Sequence, residues 1–119
     1  MRAFLLVDHG SRAEEANESL VKMAELVQSR VGEGIVVAHA HMEIAAPTVP
    51  DTIAALVGKG AKNIVVVPYF LAPGRHSRKD IPALVSDAGV AHPHVLFVDA
   101  EPLGPHPLLA ERGLLRAGA

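Results

Sequence analysis

The sequence predicts an α/β fold: a doubly wound, four-stranded parallel sheet with helices on both faces. Three observations lead there. Four short, β-branched apolar runs alternate with stretches of helical periodicity. The runs are nearly continuous in hydrophobicity, Phe4-Leu5-Leu6-Val7 and Ile64-Val65-Val66-Val67 most clearly, as strands covered on both faces require. At 119 residues, half of them apolar, the chain has the size and the core material of one domain spanning residues 1–119.

In chain order, the first strand is expected over residues 3–8. Ala16, Leu20, Met23, Val27 and Val31 then recur at spacings of four and three, one stripe of a helix, with Ser11 and Glu14 spaced as a capping box and Gly32 and Gly34 as the stop. The second strand covers residues 35–42. Thr48 and Asp51 repeat the capping spacing before a helix that buries Ile53, Leu56 and Val57 and ends at Gly58 and Gly60. The third strand covers residues 63–70. Proline is tolerated in a helix's first turn but costs a hydrogen bond farther in, so Pro82 places the start of the third helix at Asp80 and leaves residues 70–79 as a loop. A fourth strand over residues 95–100 leads to a last helix from Pro105 or Pro107, carrying Leu108, Leu109 and Leu115 and weakened by Gly113.

Composition removes several function classes. With 11 Lys+Arg against 13 Asp+Glu, the chain has no global basic field for nucleic acid or an anionic membrane. Phe4, Tyr69, Phe70 and Phe97 are too few aromatics for a base-stacking platform. The absence of cysteine removes disulfides, thiolate metal sites and cysteine nucleophiles. The N-terminal apolar run is too short for a signal-peptide core, and no run approaches the roughly 20 residues of a membrane span, so a cytoplasmic protein is expected. What stands out is seven histidines in so short a chain.

Topology sorts them. Ligands of open parallel sheets bind beyond the carboxyl ends of the strands, and His9, Glu43, His76 and His106 all follow strands and share that pole. His92 and His94 precede the fourth strand and are read as solvated loop residues at the other pole. His39, His41 and Glu43 alternate along the second strand, one face at about 6.6 Å per step. That spacing invites a His-x-His-x-Glu metal ladder. We read instead that only Glu43, at the strand's end, reaches the site, with His39 and His41 packed under a helix or lining a subunit contact. Pro73-Gly74 is expected to turn the chain and present Arg75 and His76 above the sheet. Two imidazoles and a carboxylate from three loops would make a metal site with vacant positions, suited to exchange or chemistry. Arg12, Arg75, Arg78 and Lys79 around it point to a substrate bearing several carboxylates or phosphates.

Five blocks in order, His9-Gly10-Ser11-Arg12, Met42 to Val49 (MEIAAPTV), Pro68 to His76 (PYFLAPGRH), Asp80-Ile81-Pro82 and Pro102 to Pro107 (PLGPHP), resemble the short sirohydrochlorin cobaltochelatases, relatives of the class II ferrochelatases. The match covers essentially the whole chain. The resemblance implies a flavodoxin-like chelatase half-domain with strand order 2-1-3-4. It implies insertion of a divalent metal (Co²⁺, Fe²⁺ or Ni²⁺) as substrate into a reduced tetrapyrrole, without a nucleotide cofactor, by a homodimer. It carries the metal-ligand role onto His9, His76 and Glu43. His39 and His41 are not positions of that pattern. Two other readings use some of the same residues: a phosphohistidine carrier, which explains His9 alone, and a non-catalytic carrier of metal or tetrapyrrole. A receiver domain fails, because the third strand ends in Pro68-Tyr69-Phe70 without an acceptor aspartate.

Overall fold

The computed structural model describes residues 1–71 and 74–119, with the side chains of residues 75–77 outside that description. The elements alternate as expected: β1 (Arg2–Asp8), α1 (Glu14–Gln28), β2 (Ile35–His41), α2 (Val49–Gly58), β3 (Asn63–Pro68), α3 (Arg75–Ala91), β4 (Leu96–Asp99) and α4 (Pro107–Ala117). The strands form one parallel sheet in the order β2-β1-β3-β4. β1 is central, and its two faces divide the core. Ala3, Leu5 and Val7 face Ile53 and Leu56 of α2 and Ile81 and Ala88 of α3, while Leu6 faces Leu20 and Ala24 of α1. An interior strand buried on both sides explains its unbroken hydrophobicity.

Three expectations are corrected. α3 begins at Arg75 rather than Asp80, with Pro82 inside it, so much of the expected loop is helical. Pro82 does forfeit a backbone bond, but Ile81 is buried and Leu84, Val85 and Ala88 pack on the core along the same helix, and that packing outweighs one missing donor. The Ser11–Glu14 capping box does not form: α1 starts at Glu14 without a side-chain cap. Asn17 reaches back instead, its Oδ1 accepting from the Ser11 amide at 2.9 Å and its Nδ2 donating to the Ser11 carbonyl at 2.7 Å. Val31 falls outside α1, and Ala24 takes a buried place on its stripe. At α2 the expected cap is present, Thr48 Oγ1 accepting from the Asp51 amide at 3.3 Å.

The last helix forms from Pro107, as expected. No residue of this helix is buried, and Leu108, Leu114 and Leu115 are all exposed, as are Leu96 and Val98 on β4. The opposite edge is closed differently. Gln28 donates to the Ile35 carbonyl at 2.9 Å and accepts from the Val37 amide at 2.8 Å, so one side-chain amide occupies the free edge of β2 as a neighbouring strand would.

Candidate active site

The strand order reverses beside β1, and His9 leaves β1 at that point, exposed. Its imidazole stacks on Phe70, with ring centroids 4.3 Å apart and planes inclined by 24°. Phe70 is buried and belongs to the core, so the imidazole rests on a fixed platform.

Gly10 follows with φ 89°, and a Cβ there would stand 1.9 Å from the Glu43 carbonyl oxygen. The Glu43 amide donates to the His9 carbonyl at 3.0 Å. The chain segments after β1 and β2 are thus joined by backbone, which brings the expected residues His9 and Glu43 to one place while both side chains stay exposed.

Glu43 does not share a face with His39 and His41. It lines a groove of about 250 Å³ with Met42, Asp80 and Leu84, on the α3 side of the sheet. The two histidines lie on the α1 side. His41 is buried, 1% exposed, and its Nδ1 lies 2.5 Å from Oδ1 of Asp8, its directly opposite partner in the β1–β2 register. The same Asp8 oxygen accepts from the Gly10 amide at 3.0 Å. One carboxylate oxygen therefore ties the buried imidazole to the turn that carries His9. His39 meets the edge of His41 at 5.9 Å between centroids and lines a groove with Glu25 and Gln28 of α1. Burial and then the neighbouring His41 lower its pKa below the ordinary value, against upward pulls from Asp8 and Glu18. The ladder reading fails because β2 ends at His41 and the chain turns before Glu43.

The cationic residues are spread. Arg12 and Lys79 are exposed. Arg78 lines a cavity of about 280 Å³ at the carboxyl ends of β3 and β4 with Pro68, Asp99 and Glu101. Arg75 and His76 occupy the first turn of α3 rather than a loop, and their side chains lie outside the described residues, as does the expected turn at residue 73. Among the described residues no three of His, Asp and Glu gather closely enough to hold a metal ion; the expected ligand set includes His76. His106 caps α4, its Nδ1 accepting from the Leu108 amide at 3.1 Å, and His92 ends α3 beside Phe97. The sequence reading missed Asp8, Phe70 and Asn17. Asp8–His41 would have followed from the parallel register, since an acid at the end of one strand faces the last residue of the next.

The family model CbiX matches residues 3–116. The chain is 42% identical over 107 residues to the chloroplastic sirohydrochlorin ferrochelatase of Arabidopsis thaliana, covering 90% of this chain and 47% of that protein. Among solved structures it is similar to a CbiX protein of Marinobacter aquaeolei VT8 named for cobalamin (vitamin B12) biosynthesis, with TM-score 0.82, 33% identity, and coverage of 99% of this chain and 97% of the other. It is also similar to the sirohydrochlorin chelatase SirB of Bacillus subtilis subspecies spizizenii in complex with cobalt, with TM-score 0.90, 27% identity, and coverage of 98% of this chain and 50% of that one. The chain thus spans about half the length of the chloroplast enzyme and of SirB alike.

Proposed function

Because the chain belongs to the CbiX family, we propose that it is a metal chelatase, a lyase that inserts a divalent metal into sirohydrochlorin, with cobalt the first choice and iron or nickel the alternatives. The observation that carries the proposal is the position of His9, exposed at the switch point, braced on Phe70 and joined through its carbonyl to Glu43. Insertion requires the metal to shed water, the macrocycle to bend and two pyrrolic protons to leave. In this proposal the imidazoles of His9 and His76 hold the metal in neutral form, and Glu43 ligates it or accepts a proton. Arg12, Arg75, Arg78 and Lys79 pair with the substrate's peripheral carboxylates, Arg78 beside Asp99 and Glu101 in the same cavity. No nucleotide cofactor enters.

The test is incubation with sirohydrochlorin and each metal, followed by absorbance. The parent should give the metallated spectrum, and His9→Ala should abolish it without unfolding the chain, since the side chain is exposed. Parent-like turnover in that variant would refute the assignment. Tight binding of both reactants without insertion would favour the carrier reading, and phosphorylation of His9 by a phosphotransfer donor would favour the phosphohistidine reading.

The proposal includes a homodimer that pools two sites into one cleft. Its support is the exposed apolar residues Leu96 and Val98 of β4, at the sheet edge opposite the one that Gln28 closes, and Leu108, Leu114 and Leu115 of α4. Light scattering should report a dimer, and Leu114→Glu with Leu115→Glu should return a monomer; an active monomeric parent would refute it. Among the described residues no helix is long and apolar enough to cross a membrane. The expected cytoplasmic location forms part of the proposal, and cell fractionation tests it.

A further inference from the structure

Directly after Glu43 stands Ile44, with φ 74°, the one non-glycine residue at positive φ among the described residues. The Ala45 amide donates to the Glu43 carbonyl at 2.8 Å, so residues 43–45 close a three-residue turn in the form that is rare and strained. A β-branched residue is the least suited to that conformation, whereas glycine adopts it readily.

Burial does not explain the isoleucine, because its side chain is 65% exposed. Within the chain the side chain thus costs strain and gains little apolar contact. Such outliers persist where the residue serves a purpose at a site. Its surroundings name the purpose. The carbonyl of Glu43, which closes the turn, is the atom against which Gly10 packs, so the turn is wedged against the His9 segment. At the end of β3, on the other side of β1, Leu71 is exposed to a similar degree, at 67%. Two exposed apolar residues therefore follow the strands that flank His9, at the pole where the ligand of an open sheet binds.

We propose that Ile44 is a substrate-contacting residue: its side chain bears on an apolar face of the tetrapyrrole, and the strained turn is kept because it presents that side chain next to the Glu43 carboxylate. Leu71 supports the same face from the β3 side. The proposal rests on the chelatase reading and adds the residue that recognises the ring rather than its peripheral carboxylates.

The test compares Ile44→Gly, Ile44→Ala and Ile44→Leu with the parent in four measurements: thermal midpoint, sirohydrochlorin affinity without metal, cobalt affinity without tetrapyrrole, and oligomeric state. Ile44→Gly relieves the strain and removes the contact, so its midpoint should rise by about 2 to 6 °C while tetrapyrrole affinity falls about tenfold. Ile44→Ala should lose the same affinity without the full rise, and Ile44→Leu should bind within about threefold of the parent. Cobalt affinity should stay constant throughout. Tetrapyrrole affinity within twofold of the parent in Ile44→Ala overturns the proposal while leaving the chelatase reading intact. Dissociation of the oligomer at unchanged tetrapyrrole affinity also overturns it and gives the side chain to a second copy of the chain. A parent that fails to bind sirohydrochlorin overturns both.

Discussion

Replacing Gly10 by alanine adds one carbon at the tightest backbone approach of the site. That carbon would stand 1.9 Å from the Glu43 carbonyl oxygen and 3.2 Å from both the Glu43 carbonyl carbon and the His41 Cβ. Real Cβ atoms keep at least 3.0 Å, so the two segments must part by about 1.1 Å. Neither is free to move. The Glu43 amide is held by the His9 carbonyl, and the Gly10 amide by Asp8, which also holds the buried His41. The φ of 89° adds roughly 1–2 kcal/mol for a residue with a side chain, the displaced backbone about 1–3 kcal/mol, and a lost amide bond about 1 kcal/mol. A total of about 3–6 kcal/mol is a large share of the roughly 5–15 kcal/mol that holds a small domain. Urea titration of the variant, read as a midpoint shift at unchanged slope, measures it. Gly32→Ala, where an added Cβ meets nothing within 4 Å, is the control and should stay within about 0.5 kcal/mol of the parent. A Gly10→Ala cost below about 1 kcal/mol would refute the close approach and the joining of His9 to Glu43 built on it.

Asp8→Ala strips the buried His41 of its partner and frees the Gly10 amide, and should cost about 2–4 kcal/mol. Adding His41→Phe should recover much of that, and a double variant as weak as the sum of the singles would contradict the pairing. For His39, burial first and His41 second hold the folded pKa below the ordinary 6.5. The unfolded chain therefore takes up the proton first as pH falls. The stability linked to this group is complete above about pH 6.5 and is lost as pH drops from there through the folded pKa. His39→Gln should flatten that limb of a midpoint-against-pH plot between pH 7.5 and 5, and parallel plots would argue against it. Gln28→Ala should cost about 1–2 kcal/mol and open the β2 edge. New self-association at high concentration, seen by light scattering, is the expected sign, and an unchanged profile would show that the edge is protected by other means.

Strand positions and the meeting of His9 with Glu43 at one pole were legible because each rests on one-dimensional information: an apolar run marks a buried strand, and whatever follows a parallel strand lies at its carboxyl end. The errors came where a local rule met a tertiary one. Pro82 obeys its rule in costing a donor, yet Ile81 and Ala88 on the same helix supply packing that the rule does not weigh. The period of two along His39, His41 and Glu43 holds only while the backbone stays extended, and β2 ends at His41. Ser11 and Glu14 have the capping spacing, but Asn17, six residues on from Ser11, satisfies the Ser11 backbone first. In α4 the leucine spacing gave a helix correctly. Periodicity says that a face is apolar and leaves open what covers it, and among the described residues nothing buries Leu108, Leu114 or Leu115.

The site divides its labour between backbone and side chain. The atoms that hold it together are the His9 carbonyl, the Glu43 amide and carbonyl, the Gly10 amide and the buried Asp8–His41 pair. In the proposed chelatase the side chains that meet the metal are the His9 imidazole and the Glu43 carboxylate, which are exposed and supply none of those bonds. A metal in transit needs donors that can let it go, and a bent macrocycle needs room, so both favour side chains that are accessible rather than locked in a network. Rigidity is still required, because a ligand displaced by an ångström can lose most of its effect. Here the rigidity comes from main-chain atoms and from a histidine turned into the core. In that reading two imidazoles at the ends of adjacent strands, His9 stacked at the surface and His41 buried against Asp8, have opposite roles despite identical chemistry: one is placed, and the other does the placing.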